Sequence, residues 1–406
     1  MKYFCAMPTS MEHTDIILAG AGLSGLTLAL ELAKRPFFSE KNILLLDRDE
    51  KNRNDRTWCF WAKENEPLPP VVHKTWGDCH FYGEKWAKRL QIAPYRYHMV
   101  RGADYYAWAK GELSRCPNVR WKKADILGFD AASGTVKSDV GEFRGEHVFN
   151  SAFFMADGGR VTVDGGRGMA NGEWVSAGQR ARTTLLQHFK GWEIEAPRAV
   201  FDPAVVTFMD YRLEQRGETR FVYVLPFDER RALVEFTVFS RRLCEEAEYR
   251  AELQRYITEV LGIPQFDILG EEFGVIPMTD LPLLPEGEGR VVNIGTAGGF
   301  VKASSGYAFL RTQRKTRAFV DDWERNRRPC PAVLRSPWLF RTLDSIMLRV
   351  LDQGAVSGKD FFTQLFQRLP ARSVFRFLDE DASFADTLRV LAAPPTWPFL
   401  RVALGG

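Results

Sequence analysis

A chain of 406 residues has room for two or three domains and for a core that needs no staples. Its 45% hydrophobic and 26% charged residues exclude a disordered chain, a collagen and a polytopic membrane protein, and 55 basic against 52 acidic residues, net charge +3, exclude the global field of a nucleic-acid binder. The six cysteines form no CxxC pair and the six histidines no ligand spacing, so no metal is expected and a reducing compartment suits the chain. The N-terminal segment MKYFCAMPTSMEHT lacks the apolar run of a signal peptide, and Met11 is an alternative start. No segment reaches the roughly 20 apolar residues of a spanning helix, so any membrane contact is expected to be peripheral.

Residues 15–19 (DIILA) read as a buried strand, 26–34 as a helix stopped by Pro36, and 42–47 (NILLLD) as a second strand ending in an acid. Residues 55–61 (DRTWCFW) are expected to form a short aromatic loop. A helix is expected over 102–113 and strands over 119–123 and 146–150. The glycine-rich stretch 158–178 reads as a mobile loop. Two strands, 220–227 and 231–239, flank a DER turn, and 245–261 is helical. A strand at 290–294 leads into Gly295, Gly298 and Gly299, a long helix follows over 305–324, and the chain from Pro337 onward is mostly helical. Within it, 338–351 is amphipathic, which suits either core packing or an interfacial helix.

Gly20, Gly22 and Gly25 have the GxGxxG spacing between the first strand and its helix. The first allows the tight turn, the second lets backbone approach a pyrophosphate, and the third lets helix and strand pack closely. Asp47 lies at the end of the next strand, where a carboxylate accepts hydrogen bonds from a ribose diol. An N-terminal unit of this kind with a second glycine turn far downstream, at Gly295, favours FAD held in a bipartite fold over a simple NAD dehydrogenase.

Five pieces of the chain resemble the bacterial lycopene β-cyclase family: DIILAGAGLSGLTLALEL with NILLLD, the RTWCFW segment, RFVYVLPFDERRALVEFT, the Gly295 turn with SSGYAF, and FADTLRVLAAPPTWPFL at 384–400. The resemblance implies an α/β fold of the glutathione-reductase type: an FAD-binding Rossmann fold over 14–160 and 286–330, an inserted β-sheet substrate domain over 161–285, and a helical C-terminal part over 331–406. It implies conversion of the acyclic ends of lycopene, or a related acyclic carotenoid, into β-ionone rings without net redox change. It further implies reduced FAD with NAD(P)H as reductant and peripheral attachment at the cytoplasmic side of a membrane. The acid of the L-[IV]-E-x-T strand is Glu235 here, and a carboxyl among apolar neighbours stays protonated, as alkene protonation requires. Gly295, Gly298, Gly306 and Tyr307 are expected on the flavin side, and Trp58, Phe60, Trp61, Phe221, Tyr223 and Thr237 beside the substrate.

The family often carries a second acid directly after the glutamate; here that position is Phe236, so a carboxylate pair is not expected at this spot. The residues alone leave other readings open. Glu235 also fits the surface of an edge strand, and the aromatic residues fit a plain core. The basic run Arg311, Arg314, Lys315 and Arg317 fits a solvated helix face or an anion contact. A flavin monooxygenase or isoprenoid reductase, or a carotenoid carrier that keeps FAD only structurally, would share the fingerprint.

Overall fold

The computed structural model describes residues 11–152, 167–170, 173–176, 179–180, 183–281, 283, 285–286 and 289–404. Most of the glycine-rich stretch 158–178 lies outside them. The first sheet grows from a βαβ unit: β1 (Glu12–Ala19), α1 (Leu23–Ala33) and β2 (Ile43–Asp47). Both strands are runs of buried aliphatic residues, as expected where a parallel sheet is covered on both faces. β8 (Val119–Lys123) extends the sheet beyond β2, and β11 (Gly141–Asn150) lies parallel to β1 on its other side. β20 (Val291–Asn293) returns from 140 residues later in the chain to pair with the end of β11, while β10 (Thr135–Ser138) and β9 (Ile126–Asp130) add an antiparallel wing. α1, α2 (Gly102–Leu113) and α4 (Phe309–Asn326) cover one face through a shared core that includes Leu26, Leu30, Tyr105 and Phe319.

A second sheet of seven strands runs in the order β19 (Asp267–Thr279), β15 (Thr184–Glu195), β18 (Arg231–Ser240), β17 (Thr219–Pro226), β16 (Val205–Asp210), β5 (Asp78–Tyr82) and β6 (Ala87–Gln91). The expected first FAD-binding segment, 14–160, therefore contributes two strands to the second sheet, because β5 pairs in parallel with β16. Phe236, Val234 and Val238 pack one face of this sheet against α3 (Glu246–Arg255). The opposite face carries Glu235, Thr237 and Phe221, and looks toward a small sheet of β3 (Thr57–Lys63), β7 (Tyr95–Arg101) and β4 (Lys74–Trp76). The helices α5 (Trp338–Asp352), α6 (Gly358–Arg368), α7 (Ala371–Leu378), α8 (Phe384–Ala392) and α9 (Thr396–Ala403) close the same side; Phe366 and Phe375 join Phe208 in one aromatic core. A separate three-stranded sheet joins Arg167–Ala170, Glu173–Ser176 and Gln179–Arg180.

Two local expectations are corrected. The 55–61 segment is a strand from Thr57, not a loop: its β-forming residues Thr57, Trp58, Phe60 and Trp61 pair in unbroken register with β7, from Thr57 opposite Arg101 to Lys63 opposite Tyr95. The long helix begins at Phe309 and not at 305, because Gly306 adopts φ +73° and a Lys302–Gly306 turn precedes it.

Candidate active site

The glycines of the fingerprint divide their tasks in the structure as their spacing implies. Gly20 has φ +102°, where a side chain would be strained and would strike Ser151. A Cβ on Gly25 would run into the carbonyl of Gly20, so this glycine sets how closely helix meets strand. Over Gly22 there is open space. It faces a cleft of about 540 Å³ that Asp47, Gly295 and Thr296 also line. Asp47 is buried at the end of β2; its Oδ2 accepts from the Ala21 amide at 2.6 Å and its Oδ1 from the Asp49 amide at 2.8 Å. Gly295 (φ +64°) closes the far wall against Ser24, and Ala308 and Thr312 bring the first turn of α4 to the same cleft. Open backbone at the second glycine, an acceptor carboxylate at the strand end and the N–H groups of two helix N-termini are the features of a dinucleotide site, so these residues fit FAD.

Beyond this cleft lies a smaller cavity of about 90 Å³. The two share a wall made by Thr57, Trp58, Phe189, Ile276, Gly306 and Ala308. Tyr97, Tyr223, Tyr307 and Cys59 line its inner end, and the Tyr97 and Tyr307 hydroxyls meet at 3.1 Å. Glu235 forms its floor. The carboxyl accepts from Thr237 Oγ1 at 3.1 Å, and Thr237 is wholly buried.

Strand register explains what stands next to Glu235. Gly191 on β15, the strand between β18 and β19, is opposite Glu235 on one side and opposite Glu272 on the other. Residues opposite each other in register point to the same face. Because position 191 has no side chain, the two glutamates meet above it; a Cβ there would fall 2.9 Å from Glu272 Cγ. Glu272 Oε2 accepts from Thr57 Oγ1 at 2.5 Å, while Oε1 is buried and meets no N–H or hydroxyl donor. Burial, the neighbouring Glu272 charge and a hydrogen bond to it push the Glu235 carboxyl well above the usual range. Burial also raises Glu272, but Thr57, Glu235 and Arg56 act in the opposite direction. The site therefore holds two adjacent buried carboxyls, both pushed upward by burial. Sequence reasoning missed Glu272, which lies 37 positions downstream and becomes a neighbour only through β15. The local signal was a solitary Gly191 inside a strand, which marks a close approach.

The structure sorts the other expected site residues. Gly20, Gly22, Asp47, Gly295 and Gly306 line the cleft. Gly25 packs behind it, and Gly298 forms a tight turn onto the Asn293 carbonyl. Tyr307 belongs to the inner cavity, not to the flavin cleft. Trp58 and Tyr223 line the inner cavity. Phe60, stacked between His98 and Phe309, and Trp61, stacked on Phe375 at 4.5 Å, are core; so is Phe221, which is wholly buried among Tyr211, Tyr223 and Phe239. Three members of the basic run on α4 contact neither solvent alone nor an anion site. Arg314 pairs with Glu66 and Asp379 at 2.9 and 3.2 Å, Arg311 with Glu380 at 2.9 Å, and Lys315 donates to the Leu334 carbonyl. The apolar face of α5 is mostly core, through Phe340, Met347, Leu348 and Val350, and only Trp338 at its start stands out, 70% exposed.

Among known proteins, a lycopene β-cyclase of a Paracoccus species is 25% identical to this chain over 96% of it and 95% of the relative. A chloroplastic lycopene β cyclase of Arabidopsis thaliana is 35% identical, covering 74% of this chain and 58% of the relative. Among solved structures, a geranylgeranyl bacteriochlorophyll reductase-like protein of Thermoplasma acidophilum superposes with a TM-score of 0.62 at 14% identity, over 97% of this chain and 99% of that one. A mutant of the halogenase PltM in complex with FAD superposes with a TM-score of 0.55 at 12% identity, over 96% of this chain and 86% of that one. These likenesses show the α/β fold of FAD-dependent flavoproteins. The model of the lycopene cyclase protein family matches residues 15–404, which takes in all but the first residues of β1 in the two main sheets and the helical cap, and the chain belongs to that family of carotenoid cyclases.

Proposed function

We propose that the protein is a lycopene β-cyclase that closes the acyclic ends of lycopene, or of a related acyclic carotenoid, into β-ionone rings. The observation that carries this reading is Glu235: a carboxyl kept in its acid form on the floor of an aromatic cavity that shares a wall with the dinucleotide cleft. Glu235 delivers its proton to the terminal double bond of the polyene, leaving a tertiary carbocation. The next double bond attacks that centre and closes a six-membered ring. Loss of a ring proton then leaves an isomer of the substrate, with no electrons gained or lost. Water would capture the cation, and Trp58, Phe189, Leu225 and Ile276 are the apolar side chains of the lining that would keep it away. The faces of Trp58, Tyr223 and Tyr307 offer negative quadrupoles to the positive charge. Gly20, Gly22, Asp47, Gly295 and the start of α4 would hold FAD, which in its reduced form, with NAD(P)H as reductant, would supply electron density to stabilise the cation.

A lipid-soluble substrate implies contact with a membrane, and no helix among the described residues is long and apolar enough to cross one. Exposed apolar side chains instead gather at the C-terminal end. Phe384 (77% exposed), Leu388 and Leu391 recur at helical spacing on α8, and Trp397 (73% exposed), Leu400 and Leu404 do so on and just after α9. These helices, together with Trp338, form the proposed peripheral contact with the bilayer at its cytoplasmic side.

Expression in a lycopene-accumulating bacterial host, with pigments separated by chromatography, tests the reading. The wild-type chain is expected to make cyclic carotene and Glu235→Gln to fold, bind FAD and leave lycopene unconverted. Stoichiometric NAD(P)H consumption with a hydrogenated or hydroxylated product would overturn it.

A further inference from the structure

Resting on that assignment of Glu235 as the acid, we infer that Glu272 is its positioning partner: the two carboxyls share one proton across Gly191, with Thr57 fixing Glu272 as the ionised member. Three geometric observations converge on this. The register sets both glutamates on one face with only a glycine between them. Glu272 Oε1 is buried and has no hydrogen-bond partner among the described residues, so it is open to a proton carried by the neighbouring Glu235. Glu272 Oε2 is held at 2.5 Å by the Thr57 hydroxyl, from β3 in the facing sheet. Two adjacent buried carboxylates cannot both ionise at modest cost, and the member with the better donors keeps the charge.

The surrounding groups leave this division intact. Facing Glu235 are Cys59 on β3 and Tyr223 on β17, with Tyr97 on β7 and Tyr307 in the same cavity; burial pushes the thiol and all three phenols up, so they stay neutral. Facing Glu272 are Arg56, which favours its charge, and Glu193, whose own charge is engaged by Arg101 at 3.7 Å.

The pair gives the reaction a lender and a receiver of the same proton. The Glu235 O–H bond breaks as the new C–H bond forms on the alkene. The pair then carries two negative charges next to the carbocation, which stabilises the cation and makes the pair a strong base. When the ring C–H breaks, its proton returns to the pair as an O–H bond and its electrons become the ring double bond. No oxidant or reductant enters.

The test compares Glu272→Gln and Thr57→Val with wild type in the FAD-loaded enzyme. Activity needs the protonated acid and fails as pH rises through its titration. Removing the Glu272 charge lowers that titration, so Glu272→Gln is expected to lose at least about tenfold in rate at neutral pH and to shift the alkaline limb of its pH–rate profile down by about one unit or more. Thr57→Val withdraws the donor that stabilises the pair's negative charge, so its limb is expected to move up. Infrared spectra supply a readout apart from turnover: a buried protonated carboxyl, present in wild type and absent in Glu235→Gln, should titrate at lower pH in Glu272→Gln. A wild-type rate and pH profile in Glu272→Gln overturns the inference; if that variant does not fold, an unmoved or lowered limb in Thr57→Val does so. Retained conversion by Glu235→Gln would instead defeat the functional reading itself.

Discussion

At the scale of the residue, Glu235 sets stability against function. Its folded-state pKa lies above its unfolded value. The folded chain therefore holds an extra proton between the two values. The stabilisation is complete below the unfolded value, roughly pH 4.3, and is lost as pH rises through the folded one. Gln keeps the hydrogen bond toward Glu272 without an ionisable group. Thermal melts of Glu235→Gln are accordingly expected to match wild type near pH 4 and to rise above it at pH 8, by about 1 °C for each kcal/mol relieved in a chain of 406 residues. The fingerprint glycines allow a second separation. Gly22 faces open cleft, so Gly22→Val should fold with an unchanged melt yet lose at least about tenfold in FAD affinity, or about 1.4 kcal/mol, by flavin titration. Gly25 packs on the Gly20 carbonyl, so Gly25→Ala should lower the melting temperature whether or not FAD is present.

At the scale of the element, α4 and the loop before it tie the helical cap to the nucleotide sheet through buried charge. Lys302, 1% exposed, bonds Asp344 of α5 at 2.8 Å and Glu380 at 3.1 Å, and Glu380 is also held by Arg311. Removing one member of a buried ion cluster leaves its partners uncompensated, typically at about 3–5 kcal/mol. Lys302→Met is therefore expected to loosen α5 and the 379–381 turn, seen as early proteolysis of the C-terminal third. Its Rossmann sheet should remain folded, because α1 and α4 pack through a separate apolar core. The basic run on α4 shows why such a motif is ambiguous in one dimension. Its partners Glu66, just after β3, and Asp379, in the cap, lie 248 and 65 positions from Arg314, and only the tertiary fold brings them there.

At the scale of the whole molecule, the exposed apolar side chains of α8 and α9 are the feature a soluble enzyme has least reason to keep. A double variant, Phe384→Ser with Trp397→Ser, is expected to keep the fold, since both side chains are more than 70% exposed. It should reduce binding to lipid vesicles by at least about tenfold in sedimentation, given about 1.5–3 kcal/mol for burying each large apolar side chain. Detergent should release the wild-type protein from membranes better than high salt does. An unchanged vesicle affinity in the double variant would place the contact elsewhere.

The βαβ unit, the strand pair around the DER turn and the helical C-terminus were legible in the sequence because each is a local pattern: glycines at fixed spacing, alternation over a strand, a helical period. Glu235 was legible for the same reason, since its neighbours along β18 are two residues away. The sheet into which that strand is built was not. β15 and β19, which carry Gly191 and Glu272, have partners set by register across 30 to 100 positions, and no periodicity within either strand announces them. The same limit made Phe236 look like the loss of a second acid. A residue adjacent in sequence on a strand points to the opposite face, and Phe236 packs against α3. The residue able to share a proton with Glu235 had to come from another strand, across a position with no side chain. The sequence by itself determined the dinucleotide turn and singled out Glu235; tertiary structure alone decided which aromatic residues are wall and which are core, and which carboxylate stands beside Glu235, because those are relations between strands and not along one.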